Sequence, residues 1–263
     1  MTTQQVRVGA DALWVEDSGG DGPPLVLLHP GIADSRSWDR LVPLLAEHRV
    51  IRFDRRGFGR SPVATEPFRP VDDLVAVLDH LGVPTAHLVG NSMGGETALA
   101  LAVTDPARVA SLTLLCPGIG GYPWPEPTPE ELATFERYQA AHDAGDVAAM
   151  AALGLEEWCA CGSDDYLEEQ LRATTEADLA QTELEQANPE QWDALPGVTV
   201  PTTVVAGEQD PAESLAASLA IADRIPGADL VRLDVDHLPQ YRDPAATATA
   251  VLATVARGSR SGD

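Results

Sequence analysis

Gly90-Asn91-Ser92-Met93-Gly94-Gly95 stands between the apolar run His87-Leu88-Val89 and the Ala-rich stretch Glu96-Thr97-Ala98-Leu99-Ala100-Leu101-Ala102. A serine with small residues two positions before and after it, at a strand-to-helix junction, marks a very tight turn. The serine takes a strained backbone, and the small neighbours relieve crowding between strand and helix. Such a turn lifts the Ser92 hydroxyl above the sheet edge. It also puts the Met93 amide at a helix N-terminus, where free N–H groups and the helix dipole favour a developing oxyanion. Ser92 is therefore the candidate nucleophile, and the Met93 amide a candidate oxyanion donor.

Outward from the turn, short β-type runs at residues 6–9, 12–16, 25–28, 50–53, 87–89, 109–115, 202–206 and 230–233 alternate with helix-type runs at 38–46, 70–81, 93–103, 212–224 and 244–256. This rhythm predicts an α/β fold with a mostly parallel eight-stranded sheet flanked by helices. Residues 118–197 break it. They hold 18 Asp or Glu against 2 Arg, which is −16 of the chain's −24, and read helical at 129–144, 147–159 and 164–186. The expected organisation is a core from residues 1–117 and 198–263 with an inserted helical subdomain at 118–197. Residues 257–263 read as a frayed tail.

A length of 263 residues fits one large α/β domain. All 17 basic residues are Arg. With no Lys, a Schiff-base mechanism, a Walker-type phosphate loop and a pyridoxal phosphate anchor are excluded. A sequence pI near 4.4 argues against nucleic acid and anionic lipid as partners. No apolar run reaches the length of a membrane span, and the first residues have neither a basic nor an apolar leader region, so the expectation is a cytoplasmic protein. Cys116, Cys159 and Cys161 are too few for a disulfide framework. Cys159-x-Cys161 lacks the second ligand pair a zinc site needs, so no metal is expected.

A serine nucleophile needs a base, and the base needs an orienting acid. His48, His80, His87 and His142 read as surface or packing residues, and His29 as a loop-shaping one. His237 follows the last strand, at the carboxyl edge of the sheet where open parallel sheets place their sites, and is the candidate base. In the loop Gly207-Glu208-Gln209-Asp210-Pro211, Asp210 is the candidate acid, with Glu208 the runner-up. Asp236 is too close in sequence to reach its neighbour's ring. The second oxyanion donor belongs to the loop His29-Pro30-Gly31-Ile32. Pro30 has no N–H, leaving Gly31, with Ile32 as the alternative.

These stretches resemble the α/β-hydrolase superfamily. LLHPGIADSRSW resembles its oxyanion segment, RFDRRGFGRSP its D-x-R-G-x-G-x-S loop, GNSMGG its nucleophile elbow, VVAGEQDP its acid loop and DVDHLPQYRDP its histidine loop. Residues 118–197 occupy the place of the family's variable cap. The resemblance implies a Ser92–His237–Asp210 triad acting through an acyl-enzyme, Gly31 and Met93 amides holding the oxyanion, and no metal or organic cofactor. It also implies that Asp54 and Arg55 are tied into hydrogen bonds near the oxyanion segment. The other reading of the four Arg between 52 and 60 is a substrate carboxylate site. Two residues depart from the family pattern: Pro30 and Asp236 stand where glycine is usual. A carboxylate at 236 is expected to shift the pH profile of His237 upward.

The leading expectation is hydrolysis of a carboxylic ester, lactone or thioester. One alternative is hydrolysis of a C–C bond, since GNSMGG resembles the elbow of ring-cleavage-product hydrolases, although Leu238 stands where those usually carry Trp. Another is a cofactor-free lyase or cyclase on the same scaffold, and a third a silent binding protein. The substrate is expected to be small, neutral or cationic and partly apolar, with Trp124, Phe135, Tyr138, Met150 and Trp158 lining its pocket or packing the cap. The protein is expected to be a monomer or homodimer.

Overall fold

In the strand Leu25–Leu28 (β3), Leu25 and Leu27 face one side of the sheet and Val26 and Leu28 the other, and both sides are buried. Successive strand residues point to opposite faces, so an interior strand covered on both reads as one apolar run. The computed structural model describes residues 1–181 and 183–259. Around β3 lie β1 (Thr2–Val8), β2 (Asp11–Asp17), β4 (Val50–Phe53), β5 (Ala86–Asn91), β6 (Val109–Leu115), β7 (Thr202–Gly207) and β8 (Asp229–Leu233). They form one eight-stranded sheet in the order β1-β2-β4-β3-β5-β6-β7-β8. The pairings β1/β2 and β2/β4 are antiparallel and all others parallel. The expected α/β architecture is the one observed, and it brings the loops after β3, β5, β6, β7 and β8 to one edge.

Helices α1 (Pro70–His80) and α2 (Met93–Thr104) follow β4 and β5, and α3 (Pro129–Asp143), α4 (Val147–Trp158) and α5 (Asp165–Gln181) lie between β6 and β7. Helix α6 (Ala212–Arg224) follows β7, and α7 (Pro239–Arg242) and α8 (Pro244–Gly258) follow β8. Leu74, Leu78, Ala98, Leu101, Ala217 and Ile221 of α1, α2 and α6 cover Val26, Leu88, Leu112 and Val204 on one face. Val251 and Val255 of α8 join Trp38, Leu41 and Leu45 on the other. Among the described residues no helix is long and apolar enough to cross a membrane.

Three boundaries differ from the sequence reading. Residues 38–46 form no α-helix; two 3-10 turns, Ser35–Trp38 and Val42–Leu45, take their place. Pro43 has no N–H and its ring crowds the preceding turn, so a helix cannot run through it. Helix α5 ends at Gln181 rather than 186. Residue 182 lies outside the described residues. Beyond it the backbone pairs with Phe68, whose N–H donates to Leu184 O at 3.0 Å and whose carbonyl accepts from Gln186 N at 2.8 Å. Helix α8 runs through Gly258, into the expected tail, of which residues 260–263 lie outside the described residues.

Candidate active site

Ser92 sits between β5 and α2 with φ +53° and ψ −118°, a conformation costly for a residue bearing a Cβ. Hydrogen bonds hold it there. Its N–H donates to Leu115 O at 3.0 Å, and its carbonyl accepts from Glu96 N at 3.0 Å and Gly118 N at 2.9 Å. The flanking glycines answer a close approach: a Cβ on Gly90 would strike the Gly94 carbonyl, and one on Gly94 the Leu28 carbonyl.

His237 and Asp210 meet from the loops after β8 and β7. Their Nδ1···Oδ1 distance is 2.7 Å, with side chains 5% and 0% exposed. A carboxylate accepts only, so Nδ1 carries the proton and Nε2 is left with a free lone pair. Glu208 stands outside the pair, bonded to Arg232 at 3.0 Å. Asn91, the last residue of β5, joins this pair to the serine turn. Its Nδ2 donates to His237 O at 3.0 Å and to Leu115 O at 2.9 Å, and its Oδ1 accepts from Gln240 Nε2 at 2.9 Å. The motif by itself assigns Asn91 no role; an amide ending an otherwise apolar buried strand is the signal that could find it.

On the other flank, Met93 opens α2, and Gly31 lies so close to it that a Cβ at Gly31 would strike the Met93 sulfur. The loop carrying Gly31 is fixed by His29. Its Nδ1 donates to Pro30 O at 2.8 Å, and its Nε2 accepts from Arg55 N at 3.0 Å. Burial lowers the pKa of the His29 ring below the usual imidazole value, consistent with that neutral tautomer. Asp54 accepts from Ser35 N and Arg60 N, both at 2.9 Å.

Three of the four Arg of this stretch pair with carboxylates and the fourth stacks on a ring. Arg52 pairs with Glu16 and Asp39, Arg55 with Glu185 and Arg56 with Asp11 and Asp73. Arg60 lies over the Trp14 ring, 4.0 Å from its centroid. Their guanidinium groups thus serve the fold.

Asp236 has a cationic partner. Its carboxylate faces Arg242, at 2.9 Å from Nε and 2.7 Å from Nη2, and accepts the Cys161 N–H at 3.0 Å. Arg242 Nη2 also reaches Gly162 O at 2.6 Å. The buried charge has a fork-matched counter-ion, and the pair clasps the α4–α5 connection to the histidine loop. Beside it Leu238 and Tyr241 pack against Cys159 and Leu167.

Helix α4 brings Trp158 against His237, ring centroids 4.4 Å apart at 47°. Met150 is buried, whereas Trp124 and Phe135 are 51% and 63% exposed. The rim is acidic. Burial and then the Glu213 carboxylate push the Glu157 carboxyl up, while His237 pulls it down. Burial and then Glu185 push Asp178 up against the opposing pull of Arg55. Tyr138, partly exposed on α3, feels both Asp178 and Glu157.

A family model described as alpha/beta hydrolase fold matches residues 23–244. A 2-hydroxymuconate semialdehyde hydrolase of Pseudomonas sp. (strain CF600) is 43% identical over 119 residues, 42% of this chain and 41% of that protein. The 3-oxoadipate enol-lactonase 1 of Acinetobacter baylyi is 25% identical over 246 residues, 88% of each chain. Among solved structures, Est816, described as an N-acyl homoserine lactone degrading enzyme, superposes with a TM-score of 0.75 at 28% identity, covering 95% of this chain and 99% of that one. In the first curated relatives the matched stretch spans less than half of their own length. With the family model spanning most of the sequence and the sheet order and strand-turn-helix serine in place, the chain belongs to the alpha/beta hydrolase fold family.

Proposed function

We propose that the protein is a serine hydrolase of small carboxylic esters, lactones or thioesters. His237 Nε2 takes the proton of Ser92 as its Oγ attacks the acyl carbonyl, and Asp210 holds the imidazole in the useful tautomer. The Met93 and Gly31 amides receive the oxyanion. His237 returns the proton to the departing alcohol or thiol, and water then cleaves the acyl-enzyme by the same steps. For a lactone the leaving alcohol stays on the acyl chain. The observation that carries this reading is the buried His237–Asp210 pair, hitched through Asn91 to the strained Ser92. The enol-lactonase and the acyl homoserine lactone degrading enzyme among its relatives support it.

The test is turnover of a panel of p-nitrophenyl esters and lactones by the wild type and Ser92→Ala. The variant is expected to lose about four to six orders of magnitude in kcat with its fold intact. Equal turnover by both proteins would contradict the reading.

A second reading, C–C bond hydrolysis, is favoured by the similarity to the semialdehyde hydrolase. Leu238 after the histidine speaks against it, because this position is fully buried packing. Cleavage of a vinylogous diketone with no ester turnover would select it. On either reading the Glu157 carboxylate near His237, with Glu213 next to it, supports a neutral or cationic, partly apolar substrate.

A further inference from the structure

Among the described residues, two that are not glycine have positive φ: Ser92 and Cys116, the latter at +42°. Cys116 follows β6, the strand between β5 and β7, and its N–H donates to Val205 O at 2.9 Å. Its side chain is buried, and its Sγ, an Asp210 oxygen and a His237 nitrogen all lie within 4.8 Å of one another. The proposed mechanism assigns this thiol nothing. Asp210, meanwhile, is half-satisfied: Oδ1 faces His237, but the buried Oδ2 has no N–H or O–H donor. A carboxylate oxygen in dry surroundings needs a donor, and a one-sided carboxylate is poorly fixed in rotation.

We propose that Cys116 is a positioning residue: its S–H donates to the Asp210 carboxylate and holds Oδ1 on His237 Nδ1. The thiol has one proton and two acceptors near it, the Asp236 carbonyl oxygen at 3.9 Å and the Asp210 carboxylate within 4.8 Å. The ionised acceptor makes the stronger bond. Burial, and then the charge of Asp210, push the thiol well above its ordinary pKa, so it acts as a donor and not as a nucleophile. A metal does not fit between these groups. Nδ1 and Oδ1 at 2.7 Å share a proton, whereas two tetrahedral zinc ligands stand roughly 3.3 Å apart, from bond lengths near 2.0 Å. The left-handed backbone at Cys116 is thus retained beside the triad acid, as strain at Ser92 is retained beside the base.

The catalytic consequence rests on the serine-hydrolase reading; the contact itself is tested apart from it. The infrared S–H stretching band of Cys116, obtained as wild type minus Cys116→Ser, is expected at lower frequency than that of a free thiol and is expected to move back toward it in Asp210→Asn. A band at the free-thiol position, or one indifferent to Asp210→Asn, overturns the proposal. In kinetics, Cys116→Ala is expected to lower kcat about tenfold with KM within about twofold, and Cys116→Ser to restore it. The acid limb of kcat/KM moves to higher pH in the Ala variant, because a carboxylate stripped of its second donor binds the Nδ1 proton more tightly. An Ala variant that loses only thermal stability, with kcat and acid limb unchanged, overturns the proposal as well. If Cys116→Ala does not fold, the infrared comparison decides alone. Absence of ester turnover in the wild type counts against the hydrolase reading and leaves the infrared result standing.

Discussion

Asn91 donates from one amide nitrogen to the carbonyl oxygens of His237 and Leu115, at 3.0 and 2.9 Å, so the residue before the serine holds the loop that carries the histidine. On the proposed mechanism the register between Ser92 and His237 is held by a side chain buried in the sheet edge. Asn91→Ala strands two polar groups, the His237 carbonyl and the Gln240 amide, while Leu115 O keeps the Ser92 N–H. It is expected to cost about 2–3 kcal/mol in urea unfolding and to lower kcat by about one to two orders of magnitude. Unchanged kcat in a destabilised but folded variant would show that the tie does not set the geometry.

The Asp236–Arg242 pair predicts a split between stability and pH response. Asp236→Ala leaves Arg242 without its buried counter-ion and is expected to destabilise by about 3–5 kcal/mol. Because the charge of Asp236 is already balanced, the pH–rate profile of the folded Asp236→Asn variant should match that of the wild type. A displaced profile would return Asp236 to the role its sequence position implies.

Two buried imidazoles make stability pH-dependent. Burial lowers the pKa of His29 and of His87, which also bonds Ser111 Oγ at 2.9 Å. The unfolded chain then binds more protons below the ordinary histidine value of 6.5, so their contribution is full above that pH and is lost as pH falls toward the folded values. The urea midpoint should drop between pH 7.5 and 5.5, and the drop should shrink in His87→Gln. An identical pH slope in that variant would remove His87 from the account.

Glu157 contributes in the opposite sense. Its carboxyl is pushed up, so the native state gains on its protonation, and Glu157→Gln should raise the urea midpoint at pH 7. The same variant should narrow the preference for a cationic over an isosteric anionic ester by several-fold in kcat/KM, with neutral esters little affected. Efficient wild-type turnover of a dicarboxylate monoester would sink the charge argument.

Much of this was legible in the sequence because it rests on local constraints. The alternation of buried runs and helical runs is the sheet, and the glycines around Ser92 are forced by backbone contact with Leu28 and Gly94. What escaped are relations set by tertiary packing. Nothing near Asp236 in the chain announces that Arg242, six residues on, takes its charge. Nothing near residue 186 announces that Phe68 draws the backbone out of the helix. Asn91 and Cys116 escape for the same reason: each lies against residues distant in the chain, Asn91 against His237 and Cys116 near Asp210 and His237.

The central claim, a nucleophilic Ser92, is tested most directly by reacting the protein with a fluorophosphonate and locating the adduct by peptide mass spectrometry. The account predicts one label per chain, on Ser92, lost in Ser92→Ala and strongly slowed in Asp210→Asn. No adduct at all, or a label on another residue that survives Ser92→Ala, would contradict it.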